Sequence, residues 1–134
     1  MEPLYVEPTE DSPKVILDHQ KEIFEISGES RPENTSLFYT PILNWIEQFE
    51  KLLYWEKTKL EQKRKICFEF KFVYFNSTSA KYIMDILVSL DKMRRENYRV
   101  SIKWYFKNSE EDIKDSGEEF AISLPDMNIE LVSY

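Results

Sequence analysis

The chain has 134 residues, a formal net charge of −7, 42% hydrophobic and 32% charged side chains. That reads as one globular domain able to build its own core. Two glycines, one cysteine and one histidine exclude glycine-built phosphate cradles, the serine-hydrolase elbow, disulfide frameworks and His-pair metal sites.

The opening stretch MEPLYVEPTEDSPK is acidic and proline-broken, unlike a basic and apolar signal peptide. No run approaches the roughly 18 apolar residues of a membrane span. With a lone cysteine, this predicts a cytoplasmic protein without membrane insertion. The acidic balance disfavours nucleic acid as a partner, because like charge repels a phosphate backbone. Basic clusters at Lys57 to Lys65 and Lys92 to Arg99 read as solvated turns and helix ends. Neither a metal nor a cofactor is expected.

Residues 1–13 read as an extended, loosely held N-terminal lead, and 14–134 as a single domain. Lys14 to His19 and Glu22 to Ser27 read as two strands of a hairpin, with His19 in the turn. Gly28 to Asn34 reads as a loop. A helix is predicted over 35–55, with Leu37, Phe38, Ile42, Trp45, Ile46, Phe49 and Leu53 on its buried stripe. Pro41 predicts a kink or a delayed start there, since proline lacks the N–H of a helix interior.

Lys57 to Lys65 reads as a polar connector. Ile66 to Phe75 alternates strongly and is the clearest strand, and Arg99 to Lys107 repeats the pattern. Cys67 falls in an apolar run and is expected to be a buried, inert thiol. A helix over 78–96, with Ala80, Ile83, Met84, Leu87, Leu90 and Met93 inward, connects the two strands as a parallel βαβ unit. A third helix is predicted near 110–121 with Ser109 as N-cap, then a last strand over 128–132. The fold class is therefore α/β: a small mixed sheet of about five strands, with helices on one face.

The segment Asn76-Ser77-Thr78-Ser79-Ala80-Lys81 stands where the clearest strand hands over to the second helix. Small polar residues there cap the helix by accepting its free N–H groups. The same end favours an anion, so a hydroxyl there can serve as a phosphorylation site. Lys81, one turn after Ser77, is placed to pair with a phosphate, or with Asp85 on a solvated helix face. Glu33 and Asn34 either cap the first helix or flank the same surface. Nucleophilic catalysis by Ser77 lacks a histidine nearby in sequence. The carboxylates from Glu110 to Glu119 read as dipole and solubility devices rather than an acid–base pair.

Three stretches carry a resemblance: Ser27-Gly28-Glu29-Ser30-Arg31-Pro32-Glu33-Asn34 followed by Ile42 to Phe49; Tyr74-Phe75-Asn76-Ser77-Thr78-Ser79 with Met84-Asp85-Ile86; and Val100-Ser101-Ile102-Lys103-Trp104-Tyr105. They are similar to the G-[DE]-S-x-P-E-N, Y-[LF]-N-[ST]-[ST]-S…[ML]-D-[IL] and V-x-[IL]-x-W-Y segments of the SiaC-like family of bacterial regulatory phosphoproteins. The resemblance implies a fold like that of the STAS anti-sigma-factor antagonists. It implies a non-catalytic partner switch. A serine/threonine kinase phosphorylates the hydroxyl after the Asn, a metal-dependent phosphatase removes the phosphate, and the unmodified form controls a target such as a diguanylate cyclase. On this chain the matching hydroxyl is Ser77, with Thr78 and Ser79 as alternatives and Asn76 and Lys81 in support. Tyr82, Asp85, Glu33 and Asn34 become candidate partner contacts. A constitutive interaction module without a switch is the competing reading.

Overall fold

The computed structural model describes residues 1–59 and 64–134, with only the backbone of 58 and 59. Strands β1 (Leu4–Val6), β2 (Lys14–Asp18) and β3 (Ile23–Ser30) lead into helix α1 (Thr35–Lys59). Then come β4 (Lys65–Phe75), α2 (Ser77–Arg95), β5 (Arg99–Phe106), α3 (Glu111–Ser123) and β6 (Ile129–Ser133). The strands form one sheet in chain order, β1 to β6. The first two pairings are antiparallel, and the three that follow are parallel. A parallel pairing needs a crossover, and each one here is supplied by a helix.

Register decides which residues make the core. Val15, Ile26, Phe70 and Trp104 stand side by side across four strands, and all are buried. The adjacent row, Ile16, Glu25, Glu69 and Lys103, points to the opposite, helix-free face. Ion pairs of Glu25 with Lys14 (3.8 Å) and Lys71 (2.9 Å) hold that open face. On the covered face, Phe24 packs against Phe49, Trp45 and Phe68. Each such side chain contributes about 1.5–3 kcal/mol through burial. Gly117 lets α3 lie directly on the indole of Trp104: a Cβ there would come 2.4 Å from Cδ1. The indole Nε1 donates to the Ile113 carbonyl at 2.8 Å.

The α/β class, the parallel β4–α2–β5 unit and the one-sided helices agree with the sequence pattern. Several details differ. The sheet has six strands among the described residues, because Leu4–Val6 of the supposed lead pairs with Val15–Leu17. That lead is further held by Trp45 Nε1, which donates to the Glu2 carbonyl at 2.9 Å. Strand β3 continues through Gly28, Glu29 and Ser30, where local composition predicts a loop. Their pairing with Phe72, Tyr74 and Phe75 is a long-range contact that local polarity does not report. The register shifts between Gly28 and Glu29, and Gly28 takes φ +104°, a conformation glycine adopts without steric cost.

Helix α1 runs unbroken past Pro41 and extends beyond residue 55. Of the Lys57–Lys65 connector, 57–59 are helical, Lys65 opens β4 and 60–63 lie outside the described residues. Leu37 is 72% exposed, and the fully buried Tyr39 starts the core stripe instead. In α2 the buried stripe includes Ser79 and Ile86, whereas Ala80 and Met84 are only half-buried. Ser109 is not the cap of α3. Glu110 holds that position, and its side chain accepts from the Lys107 N–H at 3.0 Å. Cys67 is half-buried on the open face, not sealed in the core. His19 is a turn residue but a buried one, with Arg64 donating to its carbonyl at 3.0 Å.

Candidate functional site

The ends of β3 and β4 meet where α1 and α2 begin, and four residues organise the junction. Asn76 is the N-cap of α2 in extended conformation, and its Oδ1 accepts the Ser79 N–H at 2.9 Å. Asn34 does the same for α1, with Oδ1 accepting from the Leu37 N–H at 3.0 Å. Of the two capping roles open to Glu33 and Asn34, Asn34 therefore takes one, while Glu33 is exposed in the preceding loop. The Ser30 carbonyl accepts from the Asn76 N–H at 3.0 Å, tying the two loops together.

The hydroxyls at the start of α2 divide sharply. Ser77, the first helical residue, and Thr78 are exposed. Ser79 is 0% exposed. Its hydroxyl donates to the Ser30 carbonyl at 3.0 Å and accepts from Ser30 Oγ at 2.9 Å. Ser30 Oγ also contacts the Tyr39 hydroxyl at 2.5 Å. With the Ser30 proton directed to Ser79, Tyr39 must donate to Ser30. Three hydroxyls thus form one satisfied chain, Tyr39 to Ser30 to Ser79 to the Ser30 carbonyl. Burial pushes the Tyr39 phenol up to about 12, against the opposing pull of the nearby Ser30 and Ser79 hydroxyls. It stays neutral beneath the site.

Ser79 as an alternative acceptor is therefore sequestered, and a kinase could reach it only by opening the helix start. Tyr82 stacks on Tyr39, with centroids 5.6 Å apart and planes 12° off parallel. Lys81 does not pair with Asp85 among the described residues; its Nζ lies 5.4 Å from the centre of the Tyr82 ring. Lys81 and Asp85 are exposed and Tyr82 is half-buried. Ser77, Thr78, Lys81 and Asp85 thus share the accessible side of α2, with Tyr82 at its margin.

The Ser30–Tyr39 link was missed in the sequence. Its available signal was the helical spacing of Tyr39 with Ile42, Ile46, Phe49 and Leu53. Among the described residues no group of three or more His, Cys, Asp or Glu is placed to hold a metal ion.

A profile described as SiaC family regulatory phosphoprotein matches residues 6–134. The chain belongs to the SiaC family. An uncharacterized protein of Pseudomonas aeruginosa (strain UCBPP-PA14) is 26% identical over 120 residues, covering 90% of this chain and 88% of that protein. The crystal structure of apo-SiaC from Pseudomonas aeruginosa superposes with a TM-score of 0.84 at 23% identity, covering 98% of this chain and 99% of that one. A chain from the structure of the diguanylate cyclase SiaD in complex with its activator SiaC, from the same organism, gives 0.83 at 23% identity, with the same coverage. The SiaC fold is thus retained over nearly the whole chain.

Proposed function

We propose that this SiaC-family chain is the phosphorylated component of a partner switch, and that Ser77 is its modified residue. The observation that carries the reading is the division of hydroxyls at the α2 start. Ser77 is exposed on the first helical residue, while Ser79 is buried. Thr78 is the remaining competitor. A serine/threonine kinase transfers the γ-phosphoryl of ATP to Ser77 Oγ as the bond to the β–γ bridging oxygen breaks and ADP leaves, and the hydroxyl proton passes to the kinase. A phosphatase with a metal-activated water attacks the phosphorus, breaks its bond to Ser77 Oγ and releases inorganic phosphate, and a proton restores the hydroxyl.

The phosphate brings roughly 1.5–2 negative charges to a helix end whose dipole tolerates them. The core beneath stays neutral and keeps its packing, so modification changes the surface without unfolding the domain. A partner docked over Ser77, Lys81, Tyr82, Asp85 and the Glu33–Asn34 loop would then face a buried, uncompensated charge. A solved relative is an activator in complex with a diguanylate cyclase, which supports a cyclase as the target here. In this reading the protein is cytoplasmic and has no catalytic role of its own. No described helix is long and apolar enough to cross a membrane.

Incubated with its cognate kinase and ATP, the protein is expected to gain one phosphate on Ser77 by mass spectrometry. Modification confined to Thr78, or none, counts against the site. Ser77→Asp is expected to weaken target binding about tenfold or more, while Ser77→Ala binds normally. Equal binding by both would favour a constitutive interaction module.

A further inference from the structure

Arg31 lies directly after the carbonyl that holds Asn76, the residue preceding Ser77. Its guanidinium is engaged with two acids: Glu29, two residues earlier on β3, at 3.2 Å, and Asp11, on the segment before β2, at 3.4 Å. Its backbone N–H donates to the Asp11 carbonyl at 2.8 Å. Asp11 belongs to a compact turn in which Thr9 Oγ1 accepts from the N–H groups of Asp11 (3.1 Å) and Ser12 (2.9 Å). Arg31 is therefore the pin between the segment leading into β2 and the junction of β3 with α2.

These ion pairs are exposed: side chains are 51% accessible for Arg31, 57% for Asp11 and 40% for Glu29. Such pairs contribute little and exchange readily. A phosphate dianion offers two oxygens to the planar guanidinium fork, which binds that pair more strongly than a single carboxylate oxygen. It would also repel Asp11, Glu29 and the nearby Glu10, whose charge already acts on Arg31. Lys81, one turn after Ser77, lies over the Tyr82 ring.

We propose that Arg31 receives a phosphate carried at Ser77 by leaving Asp11 and Glu29, and that this exchange releases the Thr9–Ser12 turn. The proposal rests on Ser77 as the modified residue and adds the readout: phosphorylation loosens a segment that neither helix contains. The phosphoryl group is already attached, so only ion pairs and one hydrogen bond are exchanged.

The test uses full-length protein with phosphoserine encoded at position 77 during synthesis. Its second phosphate ionisation, near pH 6 for phosphoserine, is followed by phosphorus NMR. Arg31→Ala is expected to raise that midpoint by about half a pH unit or more, because the carboxylates remain while the cation is gone. Arg31→Lys should retain most of the wild-type value, and Lys81→Ala should shift it less than Arg31→Ala. Hydrogen exchange at the Arg31 N–H should quicken severalfold on phosphorylation. An unchanged midpoint in Arg31→Ala, or undiminished protection of that N–H, would overturn the proposal. The phosphate is installed without a kinase. A kinase that modifies another residue would refute the functional reading and leave this measurement standing, whereas a failed titration would refute the role of Arg31 alone.

Discussion

Ser30→Ala tests the hydroxyl chain beneath the α2 start. It removes the acceptor of the Tyr39 phenol, and both residues are 0% exposed. Ser79 keeps its bond to the Ser30 carbonyl, so the stranded group is Tyr39. A buried hydroxyl left without a partner costs about 1–3 kcal/mol. For a chain of this length that lowers Tm by roughly 3–10 °C. Tyr39→Phe removes the donor instead and leaves Ser30 still donating to Ser79, at a cost of about 1 kcal/mol. Combining the two substitutions strands nothing. The double variant should therefore be more stable than the sum of the singles predicts, with a coupling energy of about 1–2 kcal/mol. Urea unfolding followed by tryptophan fluorescence measures all four proteins. Losses that simply add would refute the single-chain arrangement of protons.

The remaining expectations concern pH, capping and packing. The Tyr39 phenol sits at about 12 in the folded protein against an ordinary 10.0. Its contribution to stability is thus complete below pH 10 and is lost as pH rises towards 12, by about 2–3 kcal/mol. Urea titrations across that range should show the advantage of wild type over Tyr39→Phe shrinking and reversing, whereas parallel curves would exclude it. Asn76→Ala deletes the acceptor of the Ser79 N–H and should cost about 0.5–2 kcal/mol. Amide exchange should accelerate first at Ser79, and unaltered protection there would rule out the cap. Gly117→Ala drives a methyl group to 2.4 Å from Trp104 Cδ1 and 2.7 Å from Leu131 Cδ2. It should destabilise by about 1–3 kcal/mol and alter tryptophan emission; a neutral effect would mean that α3 moves freely off the indole.

The legible parts of the fold were those written in period. Phe68, Phe70 and Phe72 alternate along β4, and Ile102 and Trp104 along β5, because one face of each strand is packed and the other solvated. What escaped depends on partners distant in sequence. Glu29 and Ser30 look like loop residues until the end of β4 lies beside them. By residue type Ser79 is one cap hydroxyl among three, although its spacing with Ile83, Ile86, Leu90 and Met93 follows the buried stripe of α2. Side-chain polarity masks helical phase there, and the same polarity makes Leu37 look more buried than Tyr39. Ser77 and Asn76 were visible from the strand-to-helix handover. The ion pairs of Arg31 were not, since Asp11 stands twenty positions earlier in the chain.

The sheet order carries a kinetic consequence. Every strand pairs with its neighbour in sequence, from β1 to β6. The chain can therefore assemble by accretion, each new strand docking on the one before, as it emerges during synthesis. No strand must wait for a distant segment to be inserted between two others, so each loop is closed only once, over the turn or helix that precedes the incoming strand. The Ser30 carbonyl and the Asn76 N–H come together only when β4 has docked on β3. A nascent chain would thus lack the finished α2 entrance until β4 is in place, and a partner that reads this geometry would meet it only from that step onward.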